Sequence, residues 1–170
     1  MSEPIEAVCV FTTGCLANKI KGYVLFNEDL FENKTLIKIK LSGVSEGLHG
    51  FHIHKTGDLR EQCTSLCSHY NPYNKNHGGL NDNECHVGDL GNIIADKNKN
   101  VKMKIKSNFI KLRGNKSIIG RSLIIHEDPD DLGKGKNEDS LKTGNSGKRI
   151  ACGIIGISKN SKYHNMDEIC

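Results

Sequence analysis

The sequence predicts an all-β domain, most simply an antiparallel sandwich or barrel, on three observations. Short apolar or alternating runs recur along the chain, Asn, Asp and 18 Gly residues separate them, and no segment holds an apolar period of 3.6 residues. A chain of 170 residues is about the size of one domain with a substantial core. We therefore expect one domain over residues 1–159, followed by a polar tail over residues 160–170.

The predicted strands follow these runs in chain order. They are residues 7–11, 20–26, 36–41, 50–54, 91–95, 101–106, 117–126 and 151–158. The clearest alternation places Val101, Met103 and Ile105 on one face and three lysines on the other. Because successive side chains of a strand point to opposite faces, this alternation predicts a half-buried strand.

Two long polar stretches, residues 55–90 and 127–150, interrupt the strands. Loops longer than about 12–15 residues are uncommon in compact domains unless they are functional or disordered. The first stretch contains four candidate metal ligands, and the second begins directly after His126. We expect metal chemistry to order both loops.

Six of the eight histidines and one aspartate form the strongest functional signal. They are His52, His54, His69, His77, His86, His126 and Asp89. His52 and His54 are two residues apart, so on a strand both rings lie on one face and can bind one ion. Imidazole suits zinc and copper alike. Seven ligands fall one short of the eight contacts that two four-coordinate ions need, which points to one shared histidine.

Composition argues against several other classes of partner. The net charge is +4, but the lysines are spread along the chain without interleaved aromatic residues, so no nucleic-acid partner is predicted. No signal peptide and no apolar run of about 18 residues is present, which predicts a cytoplasmic protein without a membrane partner. Seven cysteines without a C-x-x-C pair are expected to be mostly free thiols in that compartment.

Several ordered motifs carry a family resemblance. They are GFHIH at 50–54, HGG at 77–79, HVGDLGN at 86–92, DLGKG at 131–135, GN at 144–145 and RIACG at 149–153. Over residues 4–159 the chain resembles the Cu/Zn superoxide dismutases, a known example of the sandwich architecture. The resemblance implies an immunoglobulin-like, eight-stranded antiparallel Greek-key β-sandwich or barrel with two long functional loops. It also implies an oxidoreductase that converts two superoxide anions to O2 and H2O2 by alternate reduction and reoxidation of copper.

The resemblance assigns roles to residues. His52, His54, His69 and His126 would bind copper, which cycles between Cu2+ and Cu+, while His69, His77, His86 and Asp89 would bind structural Zn2+. His69, as the bridge, would also carry a proton during turnover. Asp130 would link a copper-side to a zinc-side histidine, and Arg149 would guide the anion. The loop carrying Glu138, Asp139 and Lys142 would steer superoxide electrostatically, and Cys63 and Cys152 would form a disulfide.

Departures from the family pattern give further expectations. Asp128 stands where the family often has a lysine, so one positive guide is lost. Lys148 and Ile150 flank Arg149 in place of prolines that accompany strict dependence on a copper chaperone, so none is expected to be required. A homodimer is expected through residues 154–158. The alternative function is a dismutase-like domain that buffers or delivers copper and zinc.

Overall fold

Eight antiparallel strands build the protein, in a computed structural model that describes residues 5–159. The strands are β1 Ile5–Cys9, β2 Lys21–Asp29, β3 Lys34–Ser42, β4 Gly47–His54, β5 Asp89–Ala95, β6 Asn100–Ser107, β7 Ser122–His126 and β8 Arg149–Ile157. Two single turns of helix lie in the long loops, a 3-10 turn over Thr64–Leu66 and α1 over Ser140–Thr143. The predicted tail at residues 160–170 lies outside the described residues.

The strand order is β5-β4-β7-β8-β1-β2-β3-β6, with every neighbouring pair antiparallel. The two outer strands, β5 and β6, lie beside each other, so the sheet forms a nearly closed barrel. The connections from β3 to β4 and from β6 to β7 each pass to a non-adjacent strand. The predicted fold class is confirmed.

Alternation in the sequence accounts for the inner and outer faces of β2, β3 and β6. Val24 and Phe26 of β2 are fully buried beside Ile37 and Ile39 of β3, whereas the intervening lysines of β3 are exposed. Burying each such apolar side chain contributes about 1.5–3 kcal/mol to folding. The two-residue period of the sequence therefore fixes which face points to the core.

Strand β4 is buried on both faces. Phe51 and Ile53 point into the barrel core. The opposite face carries His52 and His54, and the two long loops cover it. On the neighbouring strand Ile124 packs in a separate small cluster with residues of the first loop. The loops thus turn the outer surface of β4 and β7 into a second interior, where a site can be shielded from water.

The predicted strand over residues 117–126 begins only at Ser122. Gly120 has a φ of +83°, and its N–H donates to the carbonyl of Ile155 instead of continuing a ladder. The fully buried Ile118 packs into the main core from this preceding segment. The apolar run at residues 117–126 therefore predicted buried core residues correctly, but its first part does not form a strand. No helix among residues 5–159 is long and apolar enough to cross a membrane.

Candidate metal centre and its cavity

The first group of candidate ligands gathers at the ends of β4 and β7. His52 and His54 share one face of β4, and His69 is held beside them by a β-bridge to His54. The strand register shifts between Ile125 and His126, a change that next to functional sites often re-aims a side chain. One donor atom from each of His52, His54, His69 and His126 lies within 4.8 Å of the other three.

Each ring of this group except His69 uses one nitrogen structurally and leaves the other buried without a partner. Nδ1 of His54 donates to the Cys67 carbonyl at 2.8 Å, and Nδ1 of His126 to the Gly147 carbonyl at 3.2 Å. Nε2 of His52 donates to Asp130 at 2.7 Å. The remaining nitrogens, Nδ1 of His52 and Nε2 of His54 and His126, have no hydrogen-bond partner. Buried polar atoms are normally satisfied, so these orphaned nitrogens indicate a bound cation.

The second group surrounds the carboxylate of Asp89. Nδ1 of His69, His77 and His86 lies 2.9, 2.9 and 3.1 Å from the Oδ1 atom of Asp89. All four side chains are buried, and their donor atoms lie within 4.8 Å of one another. Ligands about 2.0–2.1 Å from a tetrahedral zinc ion are roughly 3.3 Å apart, so this set of three imidazoles and a carboxylate fits zinc.

His69 belongs to both groups. Its Nδ1 faces Asp89, so its Nε2 is the nitrogen left for the first group. The first group is rich in nitrogen and lacks a thiolate, a donor set that suits copper in both oxidation states. The residues therefore fit the two ions that the sequence predicts, with one ring common to both.

Asp130 joins the two groups. Its Oδ2 accepts from Nε2 of His52 and its Oδ1 from Nε2 of His77, each at 2.7 Å. Carboxylates in this position fix the tautomer and orientation of metal-binding imidazoles. Asn92 holds Asp130 in turn, because its Nδ2 donates to the Asp130 carbonyl at 2.9 Å while its Oδ1 accepts from the Asp130 N–H at 2.7 Å.

Asn92 and Gly144 are absent from the predicted set of site residues. Asn92 lies inside the 86–92 motif, which was the available signal. Gly144 ends α1 with a φ of +66°, and a Cβ at this position would collide with Oδ1 of Asp130. Only a glycine lets the second loop close on the carboxylate, a requirement that sequence spacing alone does not reveal.

Burial and neighbouring charges set the protonation of these groups. Burial, aided by the neighbouring rings, lowers the pKa of His52 and His54 well below the ordinary value and that of His126 to about 4. Burial would raise the pKa of Asp89, but hydrogen bonds from His69 and His86 and the adjacent His77 ring lower it below the ordinary carboxyl range. Burial would lower the pKa of His77, but its contacts with Asp130 and Asp89 raise it to about 9. Metal ions bind neutral imidazoles and ionised carboxylates, so His77 must release a proton on binding, whereas His52, His54, His126 and Asp89 are already in the binding form.

A cavity of about 540 Å³ opens above the first group. Its lining includes His54, His69, His126, Asp139, Lys142 and Arg149. Arg149 lies opposite His126 in the β7–β8 pairing and is half buried. Its Nη1 and Nη2 donate to the carbonyls of Cys63 and Cys67, each at 2.6 Å. These bonds fix a permanent positive charge beside the cluster.

The predicted steering residues lie at the edge of this cavity on the second loop. Asp139 and Lys142 line it, and the Lys142 ammonium pairs with Glu138 at 3.2 Å on the surface. Asp128 does not line the cavity, and its carbonyl accepts the Gly50 N–H at 2.9 Å. The positive charge at the cavity therefore comes from Lys142 and Arg149.

The predicted disulfide between Cys63 and Cys152 is confirmed, and it joins the first long loop to β8. The bridge packs with Leu66 and Ile124 in the small second cluster. The carbonyl of Cys63 is one of the two that accept from Arg149, so the disulfide holds one of the two anchors of the guanidinium. His49, which is outside the predicted ligand set, has Nδ1 and Nε2 within hydrogen-bond distance of the carbonyl oxygens of His126 and Ser45 and joins neither metal-ligand group.

Comparison with known proteins identifies the relatives of this architecture. The family model for copper/zinc superoxide dismutase matches residues 20–155. A superoxide dismutase [Cu-Zn] of Paramecium bursaria Chlorella virus 1 is 47% identical over 160 residues, 94% of this chain and 82% of the relative. An extracellular superoxide dismutase [Cu-Zn] of Onchocerca volvulus is 49% identical over 142 residues, 82% of this chain and 71% of the relative.

A solved structure agrees in fold. The crystal structure of the clock protein EA4 superposes with a TM-score of 0.85 at 40% identity, covering 93% of this chain and 98% of that one. The family disproportionates superoxide with copper and zinc, and the two groups of donors described above fit those ions. This chain belongs to the copper/zinc superoxide dismutase family.

Proposed function

We propose that this chain is an active dismutase in which each predicted ligand has the role expected for it. His52, His54, His69 and His126 would hold copper, and His69, His77, His86 and Asp89 would hold zinc. The observation that carries the assignment is the set of orphaned nitrogens, since each buried ring of the first group other than His69 satisfies one nitrogen and leaves the other free. Copper supplies the one-electron redox chemistry of the reaction.

The chain itself supplies anion binding and proton handling. Arg149, fixed by two carbonyls at the cavity wall, would bind superoxide by its guanidinium fork and orient it towards the first group. His69 keeps Nδ1 on the zinc side, so Nε2 would take up a proton and release it to the product. His69 is buried at the cavity wall and would supply one of the two protons that H2O2 needs, so water in the cavity would supply the other.

The test is dismutation by the purified protein, with copper and zinc measured on the same sample. Activity that rises in proportion to copper occupancy supports the enzyme. Full occupancy of both metals without activity would favour the alternative, a protein that buffers or delivers metal, and would remove the role given to Arg149.

We expect Asp130→Asn to weaken zinc and copper binding by about 10- to 100-fold. An amide has a single oxygen, so it cannot accept from both His52 and His77, and its NH2 group would face one of their N–H groups. Chelator competition measures both affinities. The matched control is Asp131→Asn, because Asp131 bonds to Ser140 and Asn145 instead of a candidate ligand. Equal losses in the two variants would contradict the role of Asp130.

We expect kcat/KM to fall as salt is added, by about tenfold or more between low and high ionic strength. Lys142 and Arg149 present positive charge to an incoming anion, and salt screens that attraction. Superoxide dismutases are a known example of such steering. Lys142→Gln should flatten the salt dependence, whereas Lys55→Gln, an exposed residue that does not line the cavity, should leave it unchanged. A flat profile for the unmodified protein would remove the steering role.

We further propose a homodimer, a cytoplasmic location and activation without a dedicated copper chaperone. Val10 and Ile157 are exposed at the ends of the paired strands β1 and β8, which supports association there. Sedimentation equilibrium tests the homodimer, and a monomer at micromolar concentration would contradict it.

Free thiols at Cys9, Cys15, Cys67 and Cys85 suit a reducing compartment and so support the cytoplasmic location, which cell fractionation tests.

Lys148 and Ile150 support chaperone independence, and an inactive product in chaperone-deleted cells would contradict it.

A further inference from the structure

Five exposed lysines gather on the outer surface of β2, β3 and β6, far apart in sequence but adjacent in the sheet. This surface, the lysine face, consists of Lys21, Lys38, Lys40, Lys102 and Lys104 with the exposed ring of Tyr23 among them. None of them is a candidate metal ligand or lines the cavity above the metal centre. The dismutase reaction therefore does not explain their arrangement.

Strand register places four of the lysines in directly opposed pairs. Lys38 faces Lys104 and Lys40 faces Lys102 across the β3–β6 ladder. Like charges in this position destabilise a sheet. Among the described residues none of the four forms an ion pair, in contrast to Lys106 on the same strand, which pairs with Glu32 at 3.2 Å. Asp96 lines a groove beside Lys40 and Lys102 without forming an ion pair with either, so an external anion would still relieve the repulsion.

Two shallow grooves run over the lysine face. The lining of one, of about 460 Å³, includes Lys21, Tyr23, Lys40 and Lys102 together with the carboxylate of Asp96. The other, of about 500 Å³, is lined by Tyr23, Lys38 and Lys104 with their neighbours. Tyr23 borders both, and its register partner is Lys40. The face thus combines five ammonium groups, with the Asp96 carboxylate beside them, and an accessible aromatic ring that borders both grooves.

We propose that the lysine face binds single-stranded nucleic acid, with the lysines on the phosphates and a base stacked on Tyr23. Proteins that bind single strands combine a positively charged groove with aromatic stacking platforms. Lysines two residues apart on one strand are about 6.6–6.8 Å apart along it, so successive charges follow an extended backbone. This binding goes beyond the dismutase activity and revises the expectation, drawn from the sequence, that nucleic acid is not a partner.

An anionic membrane is a less suitable occupant. The apolar side chains on the outer face of these strands, Leu25 and Leu36, are only partly exposed beside the lysines. Interfacial membrane binding depends on apolar side chains that enter the acyl boundary as well as on positive charge. The groups that protrude from the lysine face are ammonium groups and one aromatic ring.

The experiment titrates the full-length, metal-loaded protein against a fluorescently labelled 20-nucleotide single strand. We expect saturable binding that weakens about 50-fold between 50 and 200 mM salt, the dependence for four phosphate contacts. Lys38→Gln combined with Lys102→Gln removes one lysine from each opposed pair and should weaken binding by at least about tenfold at 50 mM salt. The matched control, Lys55→Gln with Lys136→Gln, makes the same charge change on exposed residues elsewhere.

Two further measurements distinguish binding at the lysine face from a general effect of the protein's positive charge. The Lys38/Lys102 variant should keep full dismutase activity and show a raised Tm, because the opposed charges are gone. Tyr23→Leu should weaken strand binding by at least about fivefold without changing the salt dependence. Equal weakening in the control variant, no saturable binding at 50 mM salt, or binding to anionic vesicles but not to the oligonucleotide would each overturn the proposal.

Discussion

Replacing His126 with alanine is expected to abolish dismutation and copper binding while leaving zinc in place. Nε2 of His126 is one of the buried nitrogens without a partner in the first group, and the residue takes no part in the Asp89 group. Loss of a residue that merely supports a ligand lowers affinity or activity by about 10–100-fold, so loss of a ligand should exceed about 100-fold. Activity assays with copper and zinc analysis on the same sample measure both effects.

The outcome depends on showing that the variant still folds. Zinc retention and an unchanged far-UV spectrum serve that purpose, since the zinc group lies within the same covered surface. His164→Ala is the matched control, because this histidine is outside the predicted ligand set. Retained copper with more than a tenth of the activity in the His126 variant would exclude His126 as a copper ligand.

Removing the disulfide is expected to lower the free energy of unfolding by about 4–5 kcal/mol and to reduce activity as well. The bridge closes a loop with a sequence separation of 89 residues, and such closure restricts the unfolded chain. Activity should fall because the carbonyl of Cys63 accepts from Arg149, and a released loop would let the guanidinium move away from the cavity wall. Urea unfolding of the double variant Cys63→Ser/Cys152→Ser measures the first effect, and kcat/KM the second.

Serine at the fully buried position of Cys152 adds its own cost, so two comparisons are needed. Thiol reduction of the unmodified protein breaks the bridge without changing a side chain, and it should give the same loss. Cys15→Ser, at an exposed free thiol, should change neither stability nor activity by more than a few tenths of a kcal/mol. A loss below about 1 kcal/mol on reduction would mean that the loop is held by its packing.

The two-residue period of the sequence predicted much of the fold, because alternation along a strand is enough to tell which of its side chains are buried. Val101, Met103 and Ile105 carried enough pattern to place β6 to within a residue or two. The run at residues 117–126 did not behave in the same way, because Ile118 enters the core from a turn. Alternation reports burial, and only the hydrogen-bond partners, which lie on distant segments, decide whether a buried run is a strand.

The residues of the site, too, could be predicted from the sequence only in part. The two-residue spacing of His52 and His54 identified one face of a strand by geometry alone. The other ligands lie on loops, where spacing gives no direction, and their grouping was implied by the family resemblance. The roles of Asn92 and Gly144 depend on contacts with Asp130 that form only when the second loop closes. Similarly, the lysines that looked dispersed in sequence were gathered by strand pairing, which composition does not reveal.

The orphaned nitrogens beneath the cavity also bear on how much folded protein a cell would contain. Each buried polar atom without a partner costs about 1–3 kcal/mol, and a domain's whole stability is only about 5–15 kcal/mol. Without its ions the chain would therefore keep unsatisfied polar atoms in its interior and would unfold readily. Binding of the metal ions would stabilise the folded state by mass action. The supply of copper and zinc would then determine how long the protein resists proteolysis. Its cellular abundance would rise and fall with that supply.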